Sequence, residues 1–173
     1  MHAHHYYYRS TLEKEQKFNE RVRSKLYRVD QDIQCLPGQY HMLWLPNSGE
    51  IPLSPSKCGG GVIEFLVEDV GPTSSAIVKS AIGDVSFIRG PFGSSFSLDL
   101  DGPYLLVAGG TGIAPLLMAL RELKHKGKEA HMICGAASND GLYYIEDLRA
   151  TADSIWFTTE DGSFGRMGIV TDL

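Results

Sequence analysis

The stretch LLVAGGTGIAPLLMALREL, Leu105 to Leu123, constrains the fold more than any other part of this 173-residue chain. An apolar run from Tyr104 to Ala108 stops at Gly109-Gly110-Thr111-Gly112. Ile113, Leu116, Leu117, Leu120 and Leu123 then recur at helical spacing until Gly127. That order predicts a strand, a tight turn and a helix. Pro115 suits the first helical turn, where an absent N–H costs no hydrogen bond. The glycines let backbone N–H groups approach a bound group closely. Unpaired N–H groups and the helix dipole at such a start favour an anion, typically a phosphate. An ordinary βα turn carries the same glycines, so the meaning of this one depends on the rest of the chain.

A hydrophobic content of 43% and a charged content of 21% belong to a soluble globular protein of one large or two small domains. The formal charge of -5 argues against a nucleic-acid surface. It is unevenly spread: residues 1–30 hold 7 of the 16 Lys/Arg and 4 of the 21 Asp/Glu, leaving 9 against 17 for the remainder. Residues 1–20 are therefore expected to be a basic, mobile terminal segment. No apolar run approaches the roughly 18 residues that span a bilayer, and MHAHHYYYRS lacks the apolar core of a signal peptide, so a cytoplasmic protein is expected. His2, His4 and His5 read as tag-like rather than as metal ligands. Cys35, Cys58 and Cys134 are odd in number and widely spaced, which predicts free thiols and no metal site. An iron-sulfur cluster, which needs four clustered thiolates, is not supported by this chain.

Ahead of the glycine turn the sequence is a succession of short strands. Residues 11–20 are polar, and the spacing of Phe18, Val22 and Leu26 allows a short helix there. The preferred reading is a strand from Val22 to Asp30, because a turn at Leu36-Pro37-Gly38-Gln39 and a further apolar run at Tyr40–Leu45 follow. Extended chain is expected over 51–56, a strand over Val62–Val70, and a short helix to Ser80 with Thr73 or Ser74 as its N-cap. A strand over Val85–Ile88, a turn at 89–93 and a return to strand near Phe96 complete an antiparallel barrel or sandwich. From Pro103 onward strands (104–108, 130–134, 154–158) alternate with helices (115–125 and near 145–151), as in a parallel α/β sheet. The expected fold class is thus an N-terminal antiparallel β-barrel over 21–100 followed by a short Rossmann-like α/β domain over 101–173, divided at Leu100–Pro103.

Six segments in this order, PGQYHMLWLP (37–46), IPLS (51–54), GPTSSAI (71–77), GPFGSSF (90–96), LLVAGGTGIAPL (105–116) and TEDGSFGRMGIVTD (159–172), resemble the ferredoxin-NADP reductase superfamily. Within it the chain looks like the electron-transfer subunits of two-component dihydroorotate dehydrogenases. The resemblance implies FAD on the barrel half and a nicotinamide nucleotide on the α/β half, with hydride passed to the flavin and electrons passed singly to a partner. The family's flavin motif Arg-x-Tyr-Ser falls on Ile51, Pro52, Leu53 and Ser54, so its cation and its aromatic ring are absent here. Lys57 then becomes the candidate replacement charge and Ser54 a hydrogen-bonding group. Gly71, Thr73 and Ser74 fall where the family sets the FAD pyrophosphate. Gly110, Thr111 and Gly112 would cradle the NAD pyrophosphate, with Gly135 beside the ribose and Asp161 as a further nucleotide contact. No arginine cluster follows Gly135, which favours NADH over NADPH. No catalytic residue is assigned, because the cofactors carry the chemistry.

The look-alike subunits continue beyond the segment that ends this chain at Leu173, so the α/β domain is expected to be incomplete. Its open sheet edge would be covered by another subunit, either a catalytic dehydrogenase or a second copy in a homodimer. Three functional readings follow: an electron-transfer subunit for dihydroorotate dehydrogenase in pyrimidine biosynthesis, a sibling reductase serving a hydrogenase or sulfide dehydrogenase, or a redox-silent module that binds flavin or nucleotide.

Overall fold

Asn19 turns the chain early, its side-chain oxygen accepting the N–H groups of Arg21 and Val22, both at 2.8 Å. The turn joins β1 (Tyr8–Lys17) to β2 (Val22–Val29) as an antiparallel hairpin. The computed structural model describes residues 7–172. The expected mobile terminal segment is corrected over 8–17: β1 lies between β7 and β2 in the sheet. Its run TLEKEQK reads as loop or helix because Ser10 and Leu12 are buried at the start of the strand while Lys14 to Lys17 are exposed, leaving no sustained apolar alternation. The readings placed on His2, His4 and His5 lie outside the described residues.

Five more strands complete this sheet: β3 (Tyr40–Leu45), β4 (Gly49–Leu53), β5 (Pro55–Gly59), β6 (Val62–Glu68) and β7 (Val85–Phe92). Their order is β4-β3-β7-β1-β2-β6-β5 and every pairing is antiparallel. Leu12, Leu43, Ile63, Phe65 and Ile88 meet on the inner face and Ile77 of α1 (Pro72–Lys79) packs against them. A lysine is buried in this half. The Lys25 ammonium donates to Glu15 Oε2 at 2.6 Å and to the carbonyl of Ser80, at the carboxyl end of α1, at 2.8 Å.

The chain divides into two units between Ser95 and Phe96, a few residues before the expected boundary. No strand forms near Phe96, and regular structure resumes at β8 (Tyr104–Gly109). The second unit continues with α2 (Ile113–His125), β9 (Ala130–Ala136), α3 (Ile145–Thr151), β10 (Ser154–Thr159) and β11 (Arg166–Met167). Its sheet is parallel throughout, in the order β11-β10-β9-β8. Right-handed crossovers that advance in one direction place successive helices on one face, and Arg121 of α2 meets Asp147 of α3 at 3.0 Å. Leu105, Val107 and Trp156 remain exposed. Among the described residues, no helix is long and apolar enough to cross a membrane.

Candidate functional site

The carboxyl ends of the parallel strands form one row, Gly109–Gly135–Thr158–Arg166 across β8, β9, β10 and β11. Ligands of open α/β sheets bind at such ends. Gly110 to Gly112 make a single 3-10 turn there, and α2 follows with no side chain capping its first N–H groups and no acidic residue in its first turn. A Cβ added at Gly110 or Gly112 would meet nothing within 4 Å. The turn therefore presents backbone N–H groups and a helix dipole to open space, the geometry that accepts a phosphate.

Gly135 is different. A Cβ there would collide with Val170 Cγ1 and stand 2.9 Å from Thr158 Oγ1, so its lack of a side chain serves packing within the chain. Asp161 is exposed at the end of β10, and its Oδ1 accepts from the Ser163 N–H at 2.9 Å and hydroxyl at 2.6 Å. The Ser163 hydroxyl holds the Asp161 carboxyl below the usual carboxylate range, so it remains an anion. Ser163 Oγ also accepts from the Asn139 N–H at 2.8 Å, tying the loops that follow β9 and β10 together. The sequence reading passed over Arg166, an exposed cation in this row. It lies 31 residues beyond Gly135, and only strand register brings the two into line.

In the first unit, α1 begins at Gly71 with Pro72 in its first position, so the expected N-cap at Thr73 or Ser74 is corrected to Gly71. The Ser74 hydroxyl accepts from the N–H groups of Val70 and Gly71 and donates to the Gly71 carbonyl, each at 3.0 Å. Thr73 Oγ1 donates to the Ser48 carbonyl at 2.8 Å, binding the helix start to the turn before β4. A Cβ on Gly71 would meet nothing within 4 Å, and the first turn holds no acid. The start of a helix favours an anion in general, and here the Ser74 hydroxyl is already occupied by the backbone.

The flavin-motif positions do not act as one set. Strand alternation exposes Pro52 and turns Leu53 onto the hydrophobic core, together with Ile51. Ser54 is half-buried between β4 and β5, and Lys57 is exposed on β5. A cation does stand beside β4, but it belongs to β7. Arg89 binds Glu50 through Nε and Nη2, both at 2.7 Å, and lies 5.6 Å from the Tyr7 ring centre and 5.5 Å from that of Phe92. The Trp44 and Phe87 rings pack tilted against each other alongside, their centres 5.0 Å apart. Arg89 depresses the Glu50 pKa, and burial together with Glu50 raises that of the Tyr7 hydroxyl. Among the described residues, the bidentate pair leaves this side of β4 without a free cation.

Residues 106–156 match the family of oxidoreductase NAD-binding domains. A probable dihydroorotate dehydrogenase B (NAD(+)) electron transfer subunit of Methanopyrus kandleri is 34% identical over 146 residues, which is 84% of this chain and 55% of that protein. Its counterpart in Pyrococcus horikoshii is 37% identical over 150 residues, 86% of this chain and 57% of that protein. A solved NADH-dependent reduced ferredoxin-NADP oxidoreductase superposes with a TM-score of 0.85 at 28% identity, covering 94% of this chain and 60% of that one. The chain is thus similar to proteins of the ferredoxin reductase superfamily. A ferredoxin reductase of carbazole 1,9a-dioxygenase, at a TM-score of 0.85 and 17% identity, shares the fold. The chain spans somewhat over half the length of the curated relatives it matches, 55% and 57% of the two described.

Proposed function

We propose that this chain carries the FAD- and NAD-binding parts of an electron-transfer subunit that passes electrons between NADH and a partner dehydrogenase, with dihydroorotate dehydrogenase as the partner. The observation that carries the proposal is the turn from Gly110 to Gly112, uncapped, free of acidic residues and open where a Cβ would point. It stands at the carboxyl end of a parallel sheet within the segment that matches NAD-binding domains. The resemblance to archaeal probable dihydroorotate dehydrogenase B (NAD(+)) electron transfer subunits supports the choice of partner.

In this reading the N–H groups that start α2 hold the nicotinamide dinucleotide by its pyrophosphate, and those that start α1 hold the flavin nucleotide by its own. Thr73 keeps the start of α1 against β4, and Ser74 holds its backbone in shape. Arg166 is placed to meet an acidic group of the nucleotide. The absence of an arginine in the loop just after Gly135 favours NADH. The chemistry supplied by a bound flavin is the conversion of hydride transfer into single-electron delivery. The protein works in the cytoplasm.

The test is the visible absorption spectrum of the purified chain after addition of FAD, before and after anaerobic NADH. Flavin uptake and bleaching by NADH are expected. A chain that takes up no FAD sinks the flavoprotein reading and leaves the redox-silent module. FAD that is bound but never bleached removes the NADH half of the proposal.

A further inference from the structure

Three residues that the electron-transfer reading does not use converge in the first unit. Cys35 lies in the connection from β2 to β3, His41 on β3 and Cys58 on β5. One ligand atom from each, two Sγ and an imidazole nitrogen, lies within 4.8 Å of the other two. β3 and β5 are not paired with each other, and stand near opposite ends of the sheet order. The curl of the sheet brings them together. His41 is fully buried, yet neither of its ring nitrogens has a hydrogen-bond partner. Its ring is also held in place: a Cβ on Gly90 of β7 would stand 2.8 Å from His41 Cδ2, so the β7 backbone packs directly on the imidazole. Both cysteines are half-buried free thiols, and Cys58 Sγ donates to the Ile33 carbonyl at 3.4 Å.

A buried imidazole without partners is costly unless something is to bind it. We propose that Cys35, His41 and Cys58 form a binding site for a thiophilic divalent metal ion of the zinc class. Two sulfurs and one imidazole suit zinc and exclude the oxygen-seeking cations magnesium and calcium. Around one zinc ion, bonds of about 2.0 to 2.3 Å place neighbouring ligand atoms less than about 4 Å apart. The observed cluster needs only a small contraction to reach that spacing. Among the described residues, no other Cys, His, Asp or Glu joins the group, so the fourth position falls to a water molecule. Binding displaces the two thiol protons and leaves both sulfurs as thiolates. The ion would link the β2–β3 connection, β3 and β5, which no strand pairing joins. A Cys35–Cys58 disulfide is the competing use of the same thiols, but it would leave both His41 nitrogens unpartnered.

The full chain, reduced and stripped of metal under anaerobic conditions, is titrated with Co²⁺. A thiolate-to-cobalt charge-transfer band that saturates at one equivalent and is bleached by Zn²⁺ is expected. Cys35→Ser and Cys58→Ser should each weaken cobalt binding by at least the ~10–100-fold seen when an outer-shell partner of a metal site is lost. Cys134→Ser, which removes the one remaining thiol, should leave the band unchanged. The half-buried cysteines carry this test because a substitution at fully buried His41 risks unfolding. The proposal fails if the reduced chain shows no charge-transfer band, if Cys35→Ser leaves both the intensity of the band and the cobalt affinity unchanged, or if cobalt binds without the band, as at the amino-terminal histidines. It fails equally if Cys35 and Cys58 are isolated as a disulfide and the reduced chain takes up no metal.

Discussion

Two helices of this chain begin on glycine, and their starts are filled in opposite ways. At α1 the Ser74 hydroxyl holds three backbone groups and Thr73 reaches the Ser48 carbonyl. At α2 no side chain caps the first turn, and Gly110 and Gly112 face open space. The first start is part of the scaffold and, under the proposed function, also holds a phosphate, so damage there should affect folding and ligand together. The second carries little structural duty, so damage there should affect the ligand alone. Gly135 extends the contrast, being a glycine of the same sheet end whose missing side chain is already replaced by Val170 and Thr158.

Gly135→Ala should have the largest effect on stability, about 1–3 kcal/mol by overpacking. Val170→Ala in the same chain should recover most of that loss in urea denaturation. If it does not, crowding is not what the glycine relieves. Gly112→Val should weaken NADH binding by tenfold or more, about 1.4 kcal/mol, while the thermal midpoint and the flavin content stay near those of the parent. Calorimetric titration with NADH decides this, and an unchanged affinity in the folded variant would remove the glycine turn from the nucleotide site.

Ser74→Ala should cost about 1–2 kcal/mol of stability, because it leaves the Val70 and Gly71 N–H groups without their partner. Flavin occupancy should fall with it. A variant that lost stability but kept full occupancy would make the start of α1 purely structural.

The smallest effect is expected at the Glu50–Arg89 pair, whose Glu50 lies on β4, the strand whose leading turn Thr73 ties to α1. Arg89 depresses the folded-state pKa of Glu50, so the contribution is present above the ordinary carboxylate range and disappears as pH falls through the lowered folded value. Its size should stay under about 1 kcal/mol at this partly exposed site. Urea midpoints across the acid range should lose that dependence in Glu50→Gln, and an identical acid profile in both proteins would show that the pair contributes nothing.

Much of the second unit was legible from local signals. The apolar run, the glycines and the helical spacing after Ile113 gave β8, the turn and α2 almost at their observed limits, since each depends on residues a few positions apart. β1 escaped notice because Leu12 is the one residue of TLEKEQK that is buried, so the segment shows no apolar alternation. The inward turn of Leu53 followed from strand alternation, which the resemblance to a flavin motif had set aside. Lys25 gave no sign of burial, because Glu15 and the carbonyl of Ser80 reach it from separate elements.

The sequence by itself determined the order of most elements from β2 onward, the change from antiparallel to alternating β and α grammar, and the glycine turn suited to a phosphate. Backbone preference and hydrophobic spacing act over a few residues and can be read there. Only the tertiary structure decided which glycines are open and which are closed by the chain, that Arg166 stands in the row of Gly135, and that Cys35, His41 and Cys58 meet around one buried imidazole. Those outcomes rest on strand register and on the curl of a sheet, which couple residues tens of positions apart and leave no periodicity to read.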